Sequence, residues 1–486
     1  MLTNFQNKRV TVMGLGLYEK GTGIEAVKFF LRQGSKVTVT DLRSARELEG
    51  SVRELVKYWT GLRHRAKGIE RRAKNSKPLA LSPKLAFVFG KHREEDFKNA
   101  DVVFQNPSVP SESPYLRIAA KRKIPVVNDW SLFLARHTPK LFIGVTGTRG
   151  KSTTTALIYE MLKYHHSPFR PNRRMGKVWL AGNLGASPLS FIDTYNGEPI
   201  VAELSSWLLH HFPTVKKSPN IAVVTNIMND HLDKYRNIRE YIADKENIFR
   251  FQKRGDTLVL NYDNAATRAM AKRARGKVVW FSAEKQLPRW VPLEDLQIPG
   301  AHNRANALAA AVAADAAGVT RRDIAHVLKT FRGLPNRLEL VRTVDGVRYY
   351  NDTTATTPEA TVAALATLGQ RQITNHKSQI TKNIVLIAGG ADKKLEFREL
   401  AKYVKQYCKA VVLLPGTATN KFKPLITNYQ LPITLVKQMK EAVKKAHVLA
   451  QSGDIVLLSP AAASFGLFKN EFDRGRQFVD HVRKLV

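Results

Sequence analysis

The sequence predicts an α/β protein of three domains, an N-terminal parallel sheet, a central P-loop domain and a C-terminal domain of the same strand and helix alternation. Three observations carry this reading. Short β-branched runs alternate with helical periods along the whole chain. Two of those runs end in glycine-rich turns that open a helix, at 14–16 and at 147–150. Finally, 486 residues at 43% apolar and 24% charged supply core for several domains and exclude a disordered chain.

Taken in order, Arg9 to Met13 reads as a strand, Ile24 to Leu31 as a helix and Lys36 to Asp41 as a second strand, a β-α-β unit. Further strands are predicted at Ala86 to Phe89, Val102 to Phe104 and Pro125 to Val127. Residues 53–77 between them are crowded with Arg and Lys and carry little apolar period, which predicts an exposed basic insertion. That insertion is either a solvated helix or a nucleic-acid surface. The turn-like 137–140 closes this domain, assigned to 1–138.

The central domain, 139–333, opens on the strand Leu141 to Val145. Strands follow at Pro199 to Glu203, Ile221 to Thr225 and Thr257 to Leu260, with helices over Glu240 to Phe251 and Asn303 to Ala317. The third domain, 334–486, has strands at Val347 to Tyr350, Ile384 to Ala388, Ala410 to Leu414 and Ile455 to Leu458. Helices begin near Pro358, Glu396 and Lys437, and Gly369 to Asn383 reads as a polar surface loop.

Composition bounds the setting. Lys and Arg exceed Asp and Glu by 78 to 41, a formal net charge of +37, which suits polyanionic neighbours or a basic background and does not choose between them. A single cysteine, Cys408, excludes an internal disulfide and a cysteine zinc site, so a reducing, cytoplasmic compartment is expected. No apolar run is long enough for membrane insertion.

Chemistry concentrates at Gly147-Thr148-Arg149-Gly150-Lys151-Ser152-Thr153, a strand, turn and helix start. Backbone N–H groups of such a turn cradle phosphate oxygens, Lys151 adds a mobile charge, and the Ser152 hydroxyl can hold Mg²⁺, so the segment reads as a nucleoside triphosphate site. Valine at 145 makes it a variant of the strict pattern. By contrast, Gly14-Leu15-Gly16-Leu17 lacks the third glycine of the dinucleotide fingerprint, which argues against a redox cofactor. With Asp41 and Arg43 ending the next strand, a nucleotide-linked substrate suits it better. Glu203 and His231 end central strands, at the edge where the P-loop opens, and can serve Mg²⁺ there. Lys245 by itself would be one more helix lysine.

In order along the chain, these segments resemble the Mur ligases, ATP-dependent amino-acid ligases of peptidoglycan precursor synthesis. The matching segments are Gly14-Leu15-Gly16, the P-loop, Gly182-Asn183, Glu203-Leu204-Ser205-Ser206, Asp230-His231, Gly300-Ala301-His302-Asn303 with Asn306, Leu334-Pro335-Asn336-Arg337, Asn351-Asp352, Gly389-Gly390 and Ser459-Pro460. Glu-Leu-Ser-Ser and Ser459 to Ser464 favour the D-glutamate-adding branch. The resemblance implies that a UDP-N-acetylmuramoyl-L-alanine carboxylate attacks the γ-phosphate of ATP, and that the amine of D-glutamate then attacks the acyl phosphate. Related ligases that use L-glutamate or L-alanine, or another acceptor, are the alternative, and a basic nucleic-acid-binding protein is a third reading. Residues 61–77 contain no aromatic to stack bases, which counts against that third reading.

The same resemblance implies an N-terminal Rossmann-like domain for the UDP-sugar, a central P-loop ATPase domain and a C-terminal Rossmann-like domain for the amino acid, and it assigns residues. Lys151, Glu203, His231 and Lys245 are implied as catalytic, and Ser152, Glu203, His231 and Lys245 as the surroundings of two Mg²⁺ ions, with Lys245 carbamylated. Gly147 to Thr153, Asn303, Asn306, Arg337 and Asp352 would bind ATP. Gly16, Leu17, Asp41, Arg43 and Asn183 would bind the UDP-sugar, and Lys393, Ser464 and Phe465 the amino acid. No nucleic-acid partner and a monomeric state are expected. The chain departs from the family pattern at Leu208, Asn336, Thr354 and the pair Glu471 and Phe472, where glutamine, histidine, lysine and a differently placed aromatic are usual.

Overall fold

A computed structural model describes residues 4–17, 21–72, 85–167, 176–228, 235, 237–373, 382–393, 395–464 and 466–485. Three sheets account for its strands. The first comprises β1 (Arg9–Met13), β2 (Lys36–Asp41), β3 (Leu85–Phe89), β4 (Val102–Gln105) and β5 (Val126–Val127), all parallel in the order β3-β2-β1-β4-β5. The second comprises β6 (Phe142–Thr146), β7 (Trp179–Gly182), β8 (Ile200–Glu203), β9 (Ile221–Val224), β10 (Thr257–Asn261) and β11 (Lys277–Phe281), parallel in the order β11-β10-β9-β6-β8-β7. In the third, β12 (Glu339–Val344) and β13 (Val347–Asn351) form an antiparallel hairpin. Parallel strands β14 (Ile384–Ala388), β15 (Cys408–Leu413), β16 (Ile433–Leu435) and β17 (Ile455–Leu458) complete the order β12-β13-β17-β14-β15-β16.

Central strands such as β6, β9, β14 and β17 are buried at every residue, as helices on both faces of a parallel sheet require. Each buried Val, Ile or Leu contributes about 1.5–3 kcal/mol, so these runs dominate the cohesion. Strands absent from the sequence reading are β7, β11, β12 and β16, the edges of the second and third sheets. Edge strands stay partly exposed and need no continuous apolar run, so their signal is weak: β12 alternates intermediate and exposed residues until Val344.

The chain falls into two compact units, 1–293 with 304–327, and 294–303 with 328–486. In the first, both sheets share one apolar core that runs from Val10 and Phe104 through Trp130 to Phe142 and Leu204. Trp130 stacks on Phe142 at 5.1 Å between ring centres. Polar groups close the same seam: Ser187 donates to Asp129 at 2.9 Å, Asn128 to the Leu208 carbonyl at 3.0 Å, and His211 meets the Gln105 amide oxygen at 3.0 Å.

Two sequence expectations are corrected. Residues 49–72 form a helix, and its first half is not a solvated insertion: Leu55 is fully buried and Val52, Tyr58 and Trp59 pack on the core. The i, i+3, i+4 stripe is present but diluted by the charges around it. The helix of Pro358–Ile373 runs into the stretch read as a loop, and 374–381 lie outside the described residues. No helix among the described residues is long and apolar enough to cross a membrane.

Candidate functional site

The P-loop follows β6, the strand flanked by β8 and β9. Its backbone is held from β9's end: Thr148 N donates to the Asn226 carbonyl at 2.8 Å and Arg149 N to the Asn226 side-chain oxygen at 2.9 Å. Thr225 Oγ1 and Asn226 Nδ2 donate to the Arg149 carbonyl at 2.6 and 3.0 Å. This packing leaves no room at Gly147, whose φ is +145° and where a Cβ would stand 2.0 Å from Thr225 Oγ1. Gly150, at φ +83°, caps the 15-residue helix Lys151–His165 and lies against the buried Asn306. The first turn of that helix presents backbone N–H groups and a positive dipole end, with Ser152 and Thr153 beside them.

Two lysines converge on this loop. Lys151 Nζ donates to the carbonyls of Gly147 and Thr148 at 3.0 and 2.9 Å. Lys245, from the helix Ile238–Glu246, is 2% exposed; its Nζ donates to the Gly147 carbonyl at 2.8 Å and lies 4.6 Å from the Tyr241 ring centre. Tyr241 in turn meets Thr148, OH to Oγ1, at 3.1 Å. Asn226 and Tyr241 were missed by sequence reasoning. The i, i+4 spacing of Tyr241 and Lys245 puts both on one helix face and could have revealed the second.

Glu203 is buried at the end of β8, in register with Val145 of β6, which puts the residue at the edge where the P-loop begins. Asn183 N donates to the Glu203 carbonyl at 3.0 Å, which seats the Asn183 turn at that edge. Ser152, Glu203 and phosphate oxygens are hard donors of the kind Mg²⁺ takes alongside water, so this part of the chain fits the ion. An ammonium cannot ligate a cation, and Lys245 joins such a set only as a carbamate. His231 lies outside the described residues. Among those described, no group of three or more His, Cys, Asp or Glu gathers as a metal cluster.

At the N-terminal sheet, Asp41 ends β2 facing the glycine turn. Its carboxylate accepts from Leu15 N at 2.9 Å and Arg43 N at 3.0 Å, and the Arg43 guanidinium lies 3.4 Å away. Asp41 is 5% exposed, so it builds the turn instead of standing open to a sugar. Ser51 Oγ donates to the Gly16 carbonyl at 2.9 Å, which gives the helix 49–72 a supporting role here. Leu17 is exposed.

In the second unit, Asp352 directly follows the hairpin strand β13 and is buried. It accepts from Ser459 Oγ at 2.9 Å and Leu338 N at 3.2 Å; burial pushes its carboxyl up to about 7, against the pull of Arg337. Lys393 Nζ donates to Thr356 Oγ1 at 3.2 Å, and burial holds its ammonium below the usual lysine range. The bridge between Ala391 and Ala463 ties the loop of Lys393 to that of buried Ser464. Phe465 lies outside the described residues, and Asn303 donates to the Pro299 carbonyl at 2.6 Å. Two departures from the family pattern touch: Thr354 Oγ1 donates to the Asn336 carbonyl at 2.9 Å. A third, Leu208, is buried in the shared core.

The model of the Mur ligase middle domain matches residues 145–294, and that of the Mur ligase glutamate ligase domain matches 336–462. Relatives named UDP-N-acetylmuramoylalanine–D-glutamate ligase include proteins of Roseiflexus sp., 38% identical over 97% of both chains, and Acetivibrio thermocellus, 33% identical over 99% of this chain and 97% of the relative. Among solved structures, UDP-N-acetylmuramate-alanine ligase MurC from Thermotoga maritima aligns over 98% of this chain and 99% of its own, at a TM-score of 0.58 and 20% identity. MurF ligase from the same organism, solved in complex with ADP, aligns over 80% of this chain and 90% of its own at 0.51 and 18%. At these identities the structures show the shared fold. The full-length relatives, each more than 30% identical, show that this chain belongs to the Mur ligase family.

Proposed function

We propose that the protein joins D-glutamate to UDP-N-acetylmuramoyl-L-alanine at the expense of ATP, through an acyl phosphate, as a cytoplasmic step of peptidoglycan precursor synthesis. The observation that carries the reading is the P-loop with Lys151 and Lys245 both seated on its carbonyls, in a chain that aligns end to end with D-glutamate ligases. Phosphoryl transfer asks for electrostatic clamping more than for covalent chemistry. The loop N–H groups and the helix dipole take the β- and γ-phosphates, and Lys151 moves from the loop carbonyls to the phosphate charge. Asn306 stands against Gly150, beside the phosphate-binding turn.

Mg²⁺, when bound, neutralises charge developing on the transferred phosphoryl group, and Ser152, Glu203 and His231 would hold its surroundings. Lys245 as a carbamate would add an anion there. Gly16, Leu17, Arg43 and Asn183 frame the UDP-sugar, with Asp41 shaping the turn that carries them, and Asn303, Arg337 and Asp352 complete the ATP contacts. Lys393, Ser464 and Phe465 receive the carboxylates of glutamate, where a cation and a hydroxyl pair with them.

The test is ADP release in a screen of amino acids against UDP-N-acetylmuramoyl-L-alanine. Release with D-glutamate is expected. Turnover of UDP-N-acetylmuramate with L-alanine instead would overturn the substrate assignment while leaving the ATP site intact. For Lys245, the alanine variant should be inactive and regain activity with short-chain carboxylates; active enzyme whose intact mass lacks the added CO₂ would remove the carbamate.

A further inference from the structure

A second charged hollow lies away from the P-loop. A cavity of about 250 Å³ is lined by Ala243, Glu246, Phe249, Arg250, Arg273 and Arg275. Its helix, Ile238–Glu246, turns Tyr241 and Lys245 to the P-loop, so the same helix serves two places with different residues. Charge in the hollow does not balance: three guanidinium groups face one carboxylate. Glu246 is engaged by Arg273, whose Nε lies 3.0 and 3.1 Å from its two oxygens. Among the described residues, the Arg250 side chain makes one long hydrogen bond, 3.4 Å, to the Asn247 side-chain oxygen. Arg275 lines the cavity with no ion pair or side-chain hydrogen bond among the described residues.

We infer that this hollow binds a phosphate-class oxyanion, free or as a monoester, at a site separate from the ATP loop. Two unbalanced positive charges match the −1.5 to −2 that a phosphate group carries at about pH 7. A guanidinium fork takes two oxygens of a phosphate or of a carboxylate alike, and the third oxygen of a phosphate is left for the second arginine. The buried ring of Phe249 forms an apolar wall of the hollow.

Calorimetric titration of the full chain with pyrophosphate tests this. Two classes of site are expected, one lost in Lys151→Ala and one surviving it. Arg250→Gln with Arg275→Gln should remove the surviving class and leave ADP-forming turnover within about twofold. Arg275→Gln alone should weaken it about tenfold, a loss of the size of one charge-assisted contact; this single exposed change also serves if the double variant fails to fold. Orthophosphate and glycerol phosphate separate a free from an esterified ligand, and binding of either supports the site. A single class abolished by Lys151→Ala, or a double variant that titrates like the wild type, overturns it.

Discussion

Two glycine turns in this molecule begin alike and end with opposite electrostatics. Both follow the first strand of a parallel sheet and both lead into a helix. The turn after β1 wraps its N–H groups around a carboxylate, Asp41, which accepts from Leu15 N. The turn after β6 is held by the neutral Asn226, while two ammonium groups, Lys151 and Lys245, sit on its carbonyls. A glycine turn is thus an anion site by virtue of what its neighbours leave unpaired, and the sequence pattern of the turn alone does not say which it is. The first turn spends its donors on internal order; the second keeps its helix start for a ligand.

Several changes would break or sharpen that contrast. The largest effect is expected for Lys151→Ala, a fall of about 10²–10³-fold or more in ADP formation by analogy with loss of one transition-state donor; near wild-type turnover would remove the P-loop from the mechanism. Next is Gly147→Ala, which drives a Cβ into Thr225 and the Asn226 backbone and should abolish nucleotide binding measured by calorimetry. Its counterpart Gly16→Ala meets nothing nearer than Asn106 Nδ2 at 3.9 Å, so only the left-handed backbone, φ +84°, resists it, at about 1–2 kcal/mol in denaturant unfolding. Equal penalties for the two alanines would refute the contrast.

Asp41→Asn should cost about 1–3 kcal/mol, because an amide cannot serve all the N–H groups that the carboxylate accepts. It should raise KM for the UDP-sugar and leave KM for ATP unchanged. The smallest effect concerns the seam between the two turns' sheets. Burial, with the neighbouring His210, pushes the His211 imidazole down to about 3 from 6.5. Near pH 6.5 the unfolded chain takes up a proton that the folded chain refuses. The stability gained by keeping His211 neutral is therefore complete above 6.5 and is lost as pH falls toward 3. His211→Gln keeps a hydrogen-bonding group for Gln105 and should flatten the fall of melting temperature across that window; an unchanged slope would place the acid sensitivity elsewhere.

How much of this was legible depends on how far each signal reaches along the chain. Interior strands such as Phe142–Thr146 announce themselves because every side chain is buried and apolar. Edge strands β7, β11, β12 and β16 do not, since they are only partly buried and lack a continuous apolar run. The helix 49–72 hid for a related reason: its core stripe of Val52, Leu55 and Trp59 is set among arginines and lysines that dominate composition. At the site, Lys151 was readable from a local pattern. Lys245 was not, and only its family resemblance marked it out from the other lysines of a chain with 78 basic residues.

What the sequence determined by itself is therefore local: the alternation of strand and helix, the P-loop's glycines, and the helix start with Lys151 and Ser152. Each follows from backbone sterics or periodicity within a dozen residues. Tertiary structure decided which distant groups complete those fragments. Lys245 reaches the Gly147 carbonyl across 98 residues, and Asp41 turns inward on a loop 26 residues before it. Sheet order sets these meetings, because pairing β6 between β8 and β9 brings Glu203 and Asn226 to one edge that no spacing along the chain encodes.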